Sequence, residues 1–193
     1  MNDTLQGMTN EALWQLFPIL LAEYDPAWAD RYRQERTQLL QAVGGGVKRI
    51  SHIGSTAVPG LLSKPTIDIL LELADSADIE QTKRDLLSLG YLFSPQPDNP
   101  PPHMMFMKGY TPQGFEGQAF HLHLRYYGDW DEPYFRDYLI AHPDTAAAYA
   151  QLKRRLVPEY RNNRDGYTEA KTVFIKPITA LARAEYNGRH TPV

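Results

Sequence analysis

The chain contains no cysteine, so disulfides and thiolate metal sites are excluded. It has no long apolar run either. Its longest stretches fall well short of the roughly 20 residues that a membrane helix needs. The first residues, MNDTLQGMTNEALW, have neither a basic start nor an apolar stretch, which reads against a secretory signal. An excess of one charge is missing as well. With 20 Lys and Arg against 23 Asp and Glu, the formal charge is −3, and no broad nucleic-acid surface is expected. A cytoplasmic protein with no membrane attachment follows as the expectation. What is present is ample apolar material, 42% of 193 residues, enough for the core of one domain over 1–193. Within it, 1–17 reads as a lead-in and 131–187 as a helical C-terminal part.

The most informative stretch is Val47 to Leu73, VKRISHIGSTAVPGLLSKPTIDILLEL. Two alternating segments, Val47–Ile53 and Thr66–Leu73, read as strands around a Gly/Pro-punctuated loop. Ile67, Ile69, Leu71 and Leu73 share one face, which must be buried; Thr66, Asp68, Leu70 and Glu72 share the other. An aspartate in such a strand needs a partner, because a bare buried carboxylate is costly. His52, Ser55, Thr56 and Lys64 are the nearby supply.

Elsewhere the pattern predicts a short helix from Asn10 to Phe17 capped by Asn10, a strand over Ile19–Tyr24, and an amphipathic helix over Ala27–Val43. Asp25 caps that helix with Pro26 in its first turn, and Gly44-Gly45-Gly46 stops it. A helix over Ala77–Leu89 follows, with Ser76 as its cap, and then a short strand over Tyr91–Phe93. The prolines from Pro95 to Pro102 read as a stiff loop. Met104–Lys108 and Gln118–Tyr126 read as a strand pair around Pro112–Gly117. Helices are expected over Glu132–Ala141, Ala146–Leu156 and Tyr167–Tyr186, the last kinked at Pro177, with a basic turn over Pro158–Gly166. In the later strand Phe120, Leu122 and Leu124 face one way, and His121, His123 and Arg125 the other. Two strands split in this manner predict an α/β mixed sheet with helices on one face. The open face would gather Asp68, His121, His123 and Arg125.

The run HIGSTAVPGL–SKPTIDILLEL, together with YDPAW at 24–28, FHLHLRYYGD at 120–129 and RNNRDGYTEAKTVFI at 161–175, resembles the GrpB-like family. That resemblance extends from about Pro18 to Phe174 and implies a nucleotidyltransferase-type fold. It implies that backbone amides and hydroxyls of the Gly54-Ser55-Thr56 turn approach a phosphate chain. It also implies that Asp68, thirteen positions after Ser55, opens a D-x-D pair for magnesium or manganese. Position 70 is leucine, so the pair is incomplete; Glu72 could complete a distorted site only by reaching back, and otherwise reads as a surface or salt-bridged residue. His121-Leu122-His123 puts two imidazoles on one face, suited to a phosphate, to base catalysis, or to a metal, zinc ranking behind magnesium and manganese. Asp68, His121 and His123 are thus the catalytic candidates. Lys64, Arg125, Arg161, Arg164, Tyr167 and Lys171 form the anion-binding candidates. The leading expectation is a nucleotide or other phosphorylated small molecule as ligand, with nucleotidyl transfer as the activity. The rivals are a non-catalytic nucleotide-responsive module and a histidine-metal hydrolase. The resemblance also suggests an association with coenzyme A metabolism, since similar domains are fused to dephospho-CoA kinases.

Overall fold

The computed structural model describes residue 5 and residues 7–96, 99 and 102–192. Among them are six α-helices and one five-stranded sheet. The elements run α1 (Asn10–Leu16), α2 (Ala27–Val43), β1 (Val47–Ile53), β2 (Thr66–Leu73), α3 (Ile79–Ser88), β3 (Leu92–Ser94), β4 (Met104–Thr111), β5 (Gly114–Tyr126), α4 (Asp131–Ala141), α5 (Pro143–Tyr160) and α6 (Arg164–Tyr186). The sheet order is β1-β2-β5-β4-β3. Only β2 and β5 pair in parallel; the other neighbours are antiparallel. The mixed α/β sheet expected from alternation is therefore present.

One sheet face holds the main core. Ile67, Ile69, Leu71 and Leu73 of β2 and Phe120, Leu122 and Leu124 of β5 pack under Trp28 and Leu39 of α2 and Leu86 of α3. Trp28 is 2% exposed and Leu39 is fully covered; burying each such side chain contributes about 1.5–3 kcal/mol. A second cluster joins Val58, Leu61 and Leu62 of the β1–β2 connection to Leu139 of α4 and to Tyr149 and Ala150 of α5. This cluster sets two helices beside the Gly54 turn. A third joins Leu5 and Phe17 to Tyr110 and Ala119, so the described part of 1–17 is packed against the β4–β5 hairpin instead of merely leading in.

Several local expectations are corrected. Ile19–Tyr24 is not a strand: Ala22 makes one isolated bridge to Ser63, which lies outside the sheet. Thr9, not Asn10, caps α1, its hydroxyl accepting from the Ala12 amide; the Asn10 side chain lies outside the described residues. Asp78, two residues past Ser76, caps α3 by accepting from the Gln81 amide. The Asp25 carboxylate does accept from Ala27 N at the start of α2. Pro158–Gly166 is not one turn, since α5 continues through Pro158 to Tyr160 and α6 already starts at Arg164. Pro177 lies inside α6. Most of the proline-rich loop lies outside the described residues. Helices are not confined to one face either. Leu70, on the face of Asp68, is fully buried, and Arg136 of α4 reaches the carbonyl of His52 at 2.9 Å.

Candidate functional site

The registers stack the polar face in rows. Arg49 lies opposite Glu72, and Glu72 opposite Arg125. The next row is Ser51, Leu70, His123 and Met105; the one after it is Ile53, Asp68, His121 and Met107. Asp68 and both histidines therefore share one side of the sheet, as their alternation predicted. His121 Nδ1 is 3.4 Å and His123 Nε2 4.0 Å from Asp68 Oδ1. The other nitrogen of His121, Nε2, lies 2.7 Å from the Tyr110 hydroxyl. That hydroxyl accepts from Arg164 Nη2 at 3.2 Å.

Burial pushes His121 down to about 4, so its ring is neutral at pH 7. Burial would raise Asp68, but donation from His121 and His123 outweighs it and holds the carboxylate well below its usual range. Gly54 is required against it. Its φ is +70°, and a Cβ there would collide with the Asp68 carboxylate.

These residues form the floor of a cleft of about 1390 Å³. Gly54, Ser55, Lys64, Asp68, His121, His123, Arg164, Tyr167 and Lys171 all line it, so nine of the predicted positions converge. Apolar side chains line it as well, among them Trp14, Phe17, Phe93 and Met105.

The remaining predicted positions do not join them. Thr56 is buried and its hydroxyl is occupied, donating to the Thr66 carbonyl at 3.2 Å and lying 3.0 Å from His52 Nε2. Arg125 pairs with Glu132 at 2.8 Å and lies over Trp130. Arg161 is exposed and does not line the cleft. Glu72 is fully buried, with Arg49 on both carboxylate oxygens at 2.5 and 2.8 Å and Gly128 N on one of them at 3.2 Å. It has no free oxygen to give a metal.

Two residues escaped the sequence reading. Lys153 of α5 is 3% exposed and donates to Ser55 Oγ at 3.1 Å and to the Leu62 carbonyl. Its ammonium lies 4.5 Å from the ring centre of Tyr149, four residues back on the same helix face. Lys171 lies 4.7 Å from the ring of Tyr167 in the same spacing, with Lys64 at 5.8 Å from that ring. The signal that singled out Tyr167 and Lys171 was thus also present in Tyr149 and Lys153. Burial, then neighbouring cations, pushes Lys64 and Lys153 each down to about 7; burial also lowers Lys171. Tyr167 is 1% exposed, its hydroxyl is pushed up to about 12 by burial, and that hydroxyl has no hydrogen-bond partner.

The magnesium or manganese implied by the resemblance, and zinc, were tested against this donor set. Among the described residues no three His, Asp or Glu side chains are arranged to hold a metal ion. His121 is held on both sides, Leu70 replaces the second carboxylate, and Glu72 is taken by Arg49. The residues do not fit a protein-built metal centre, which removes the basis for the histidine-metal hydrolase.

An α/β domain with a five-stranded mixed sheet, and a cationic cleft on the sheet's polar face, is the class of protein these observations define. Within it the chain belongs to the GrpB family: the profile of the GrpB protein matches residues 18–181. A UPF0157 protein of Pseudomonas aeruginosa is 38% identical over 167 residues, covering 86% of this chain and 67% of that one. The crystal structure of the conserved protein GrpB from Enterococcus faecalis has a TM-score of 0.73 at 27% identity, covering 86% of this chain and 99% of that one. A dephospho-CoA kinase of Mycolicibacterium paratuberculosis is 26% identical over 182 residues, 82% of this chain but 44% of the kinase. Among the described residues no helix is long and apolar enough to cross a membrane.

Proposed function

We propose that the cleft binds a phosphorylated small molecule, with a nucleotide as the ligand of best fit. One observation carries this reading. Lys64, Lys153, Arg164 and Lys171 line one cleft, and among the described residues none has a carboxylate within 4.0 Å. Partly or fully buried cations without a close counter-charge are unfavourable, and an anionic ligand supplies one. Ser55, fixed by Lys153, adds a hydroxyl beside the Gly54 turn. The apolar side chains lining the cleft suit the planar or apolar remainder of such a ligand. Nucleotides lead because the resemblance implies them; coenzyme A precursors follow from the kinase named above.

Thermal shift and calorimetry across nucleotides, coenzyme A precursors and non-phosphorylated analogues test the proposal. A ligand at one hundred times its Kd raises native stability by about 2.7 kcal/mol. Phosphorylated compounds should raise the melting temperature and their dephosphorylated forms should not. A screen in which no phosphorylated compound raises it would falsify the reading.

His123 favours nucleotidyl transfer as a second reading. It lines the cleft, with its Nε2 4.0 Å from Asp68 Oδ1. Its imidazole faces the cleft, where a general base would accept the proton of an attacking hydroxyl. Acceptor-dependent pyrophosphate release by the wild type, lost in Asp68→Asn and in His123→Gln, would establish transfer. A tight nucleotide complex with no release for any acceptor leaves binding as the function.

A further inference from the structure

We propose that Ser55 and Lys153 form a nucleophile–base pair that takes an acyl group from an ester or thioester. This activity goes beyond the phosphate reading and does not rest on it.

Geometry comes first. β1 ends at Ile53, Gly54 turns the chain at φ +70°, and Ser55 opens the three-residue turn Ser55–Ala57. Ser55 and Lys153 both line the cleft, but unequally. Ser55 is half-buried and reachable, whereas Lys153 is 3% exposed. Lys153 Nζ lies 3.1 Å from Ser55 Oγ, within the reach that a general base needs, and also bonds the Leu62 carbonyl. A neutral amine has two protons and one lone pair. With one proton on the Leu62 carbonyl, the lone pair can face Ser55. The carbonyl thereby orients the base, as a third group does in other nucleophile–base pairs.

The surroundings favour the amine. Burial, then the charges of Lys171 and Lys64, pushes Lys153 down to about 7, and its ammonium has no carboxylate within 4.0 Å among the described residues. The carboxylates of the cleft are Asp68, Asp165 and Glu169, and His121, His123 and Arg164 line it too. Tyr149 and Tyr167, the other titratable groups beside the lysines, are held protonated by burial. Below about pH 7 the ammonium serves a bound anion; above it the amine serves the Ser55 hydroxyl. The two activities thus use opposite forms of one side chain.

The step balances on these atoms. Lys153 takes the hydroxyl proton as Ser55 Oγ bonds to the carbonyl carbon, and the carbonyl oxygen gains the negative charge. Lys171, close enough to shift Lys153, is a cation that can stabilise that oxygen. The carbon–sulfur or carbon–oxygen bond to the leaving group then breaks. Lys153 gives its proton to the leaving thiolate or alkoxide, and the acyl group stays on Ser55. Water, deprotonated by Lys153 in turn, releases it as the carboxylic acid. Trp14, Phe17, Phe93 and Met105 in the cleft lining suit an apolar acyl chain.

The test is p-nitrophenyl butanoate with the full chain, following p-nitrophenol release and, after an acid quench, the butanoyl group by peptide mass. Wild type should be faster than Ser55→Ala by about a hundredfold or more. It should carry butanoyl on Ser55 and gain rate with pH through a midpoint of about 7. Lys153→Met should lose about a hundredfold as well. Lys153→Arg keeps a charged donor for Ser55 and Leu62 but has no free amine, so it should be equally slow, whereas it would restore a purely structural role. Equal rates in wild type and Ser55→Ala, or butanoyl on a lysine or tyrosine but not on Ser55, overturn the proposal. So does a full rate in Lys153→Arg. If neither Lys153 variant folds by circular dichroism, Ser55→Ala and the wild-type pH profile still decide, because a flat profile refutes the base. No phosphorylated compound is present, so neither result touches the binding proposal.

Discussion

Two ends of the same sheet face treat charge in opposite ways. At one end Arg49, Glu72 and Arg125 are closed on protein partners: Arg49 takes Glu72 and the carbonyls of Gly128 and His190, and Arg125 takes Glu132. At the other end Lys64, Lys153, Lys171 and Arg164 line a cleft in which, among the described residues, none of them has a carboxylate within 4.0 Å. Both ends carry basic side chains beside the sheet. The difference is that the first end is complete and the second is not. Pairing marks a charge that holds the fold; its absence among buried cations marks a charge kept for something else.

Deleting a charge should therefore have opposite effects at the two ends. The largest effect is expected from Arg49→Met, which leaves Glu72 buried and unpaired. It should cost about 3–5 kcal/mol in chemical denaturation, and much of that should return when Glu72→Met is added. A single mutant of wild-type stability would break the comparison at once.

Gly54→Ala comes next. Its Cβ must meet the Asp68 carboxylate at a positive φ, and a loss of about 3 kcal/mol is expected from strain plus overpacking. Denaturant midpoints measure it, and a change under about 0.5 kcal/mol would mean that the Asp68 side chain yields freely.

Lys153 sharpens the comparison through pH. Its folded value of about 7 lies below the usual 10.5, so between those values the unfolded chain binds more protons than the folded one. Stability of the ligand-free protein should then rise with pH through that window, Lys153 contributing up to about 1.4 kcal/mol per pH unit. The contribution is absent below about pH 7, where both states are protonated, and it should vanish in Lys153→Met. A denaturation series across pH reads it, and an identical slope in wild type and variant would refute it. Ligand affinity should run the other way and fall as pH rises past about 7, since the anion needs the lysines charged.

The smallest effect is at the rim of the comparison. Arg125→Gln removes a partly covered pair with Glu132, so it should lower stability by about 1 kcal/mol and leave ligand affinity unchanged. An affinity loss of tenfold would return Arg125 to the site.

Much of this was legible because it is local. Alternation over two residues assigned the faces of Thr66–Leu73 and of Phe120–Arg125, and so placed Asp68, His121 and His123 together. The triple glycine ended α2 where expected, since glycine lacks the Cβ that opposes a left-handed stop. The errors came where local signals compete. Ser76 and Asp78 are both good caps, and it is the Asp78 carboxylate that accepts from the Gln81 amide. Pro158 reads as a stop, yet it lies within α5. Glu72 looked available because its alternation matches Asp68, and nothing within a few residues reveals that Arg49, 23 positions earlier, would take it.

By itself the sequence determined an α/β fold of the GrpB family, with a buried apolar sheet face and a polar face carrying Asp68 and two histidines. Those are matters of period and motif, written in neighbouring residues. Only the tertiary structure decided that Lys153 meets Ser55 across 98 positions, that Thr56, Glu72, Arg125 and Arg161 stay out of the cleft, and that four cations line it with no carboxylate within 4.0 Å of any of them among the described residues. The reason is physical: the apolar contacts of Val58, Leu61 and Leu62 dock α4 and α5 beside the turn. Hydrophobic burial is non-directional, so no local pattern announces which charged side chains that docking brings together.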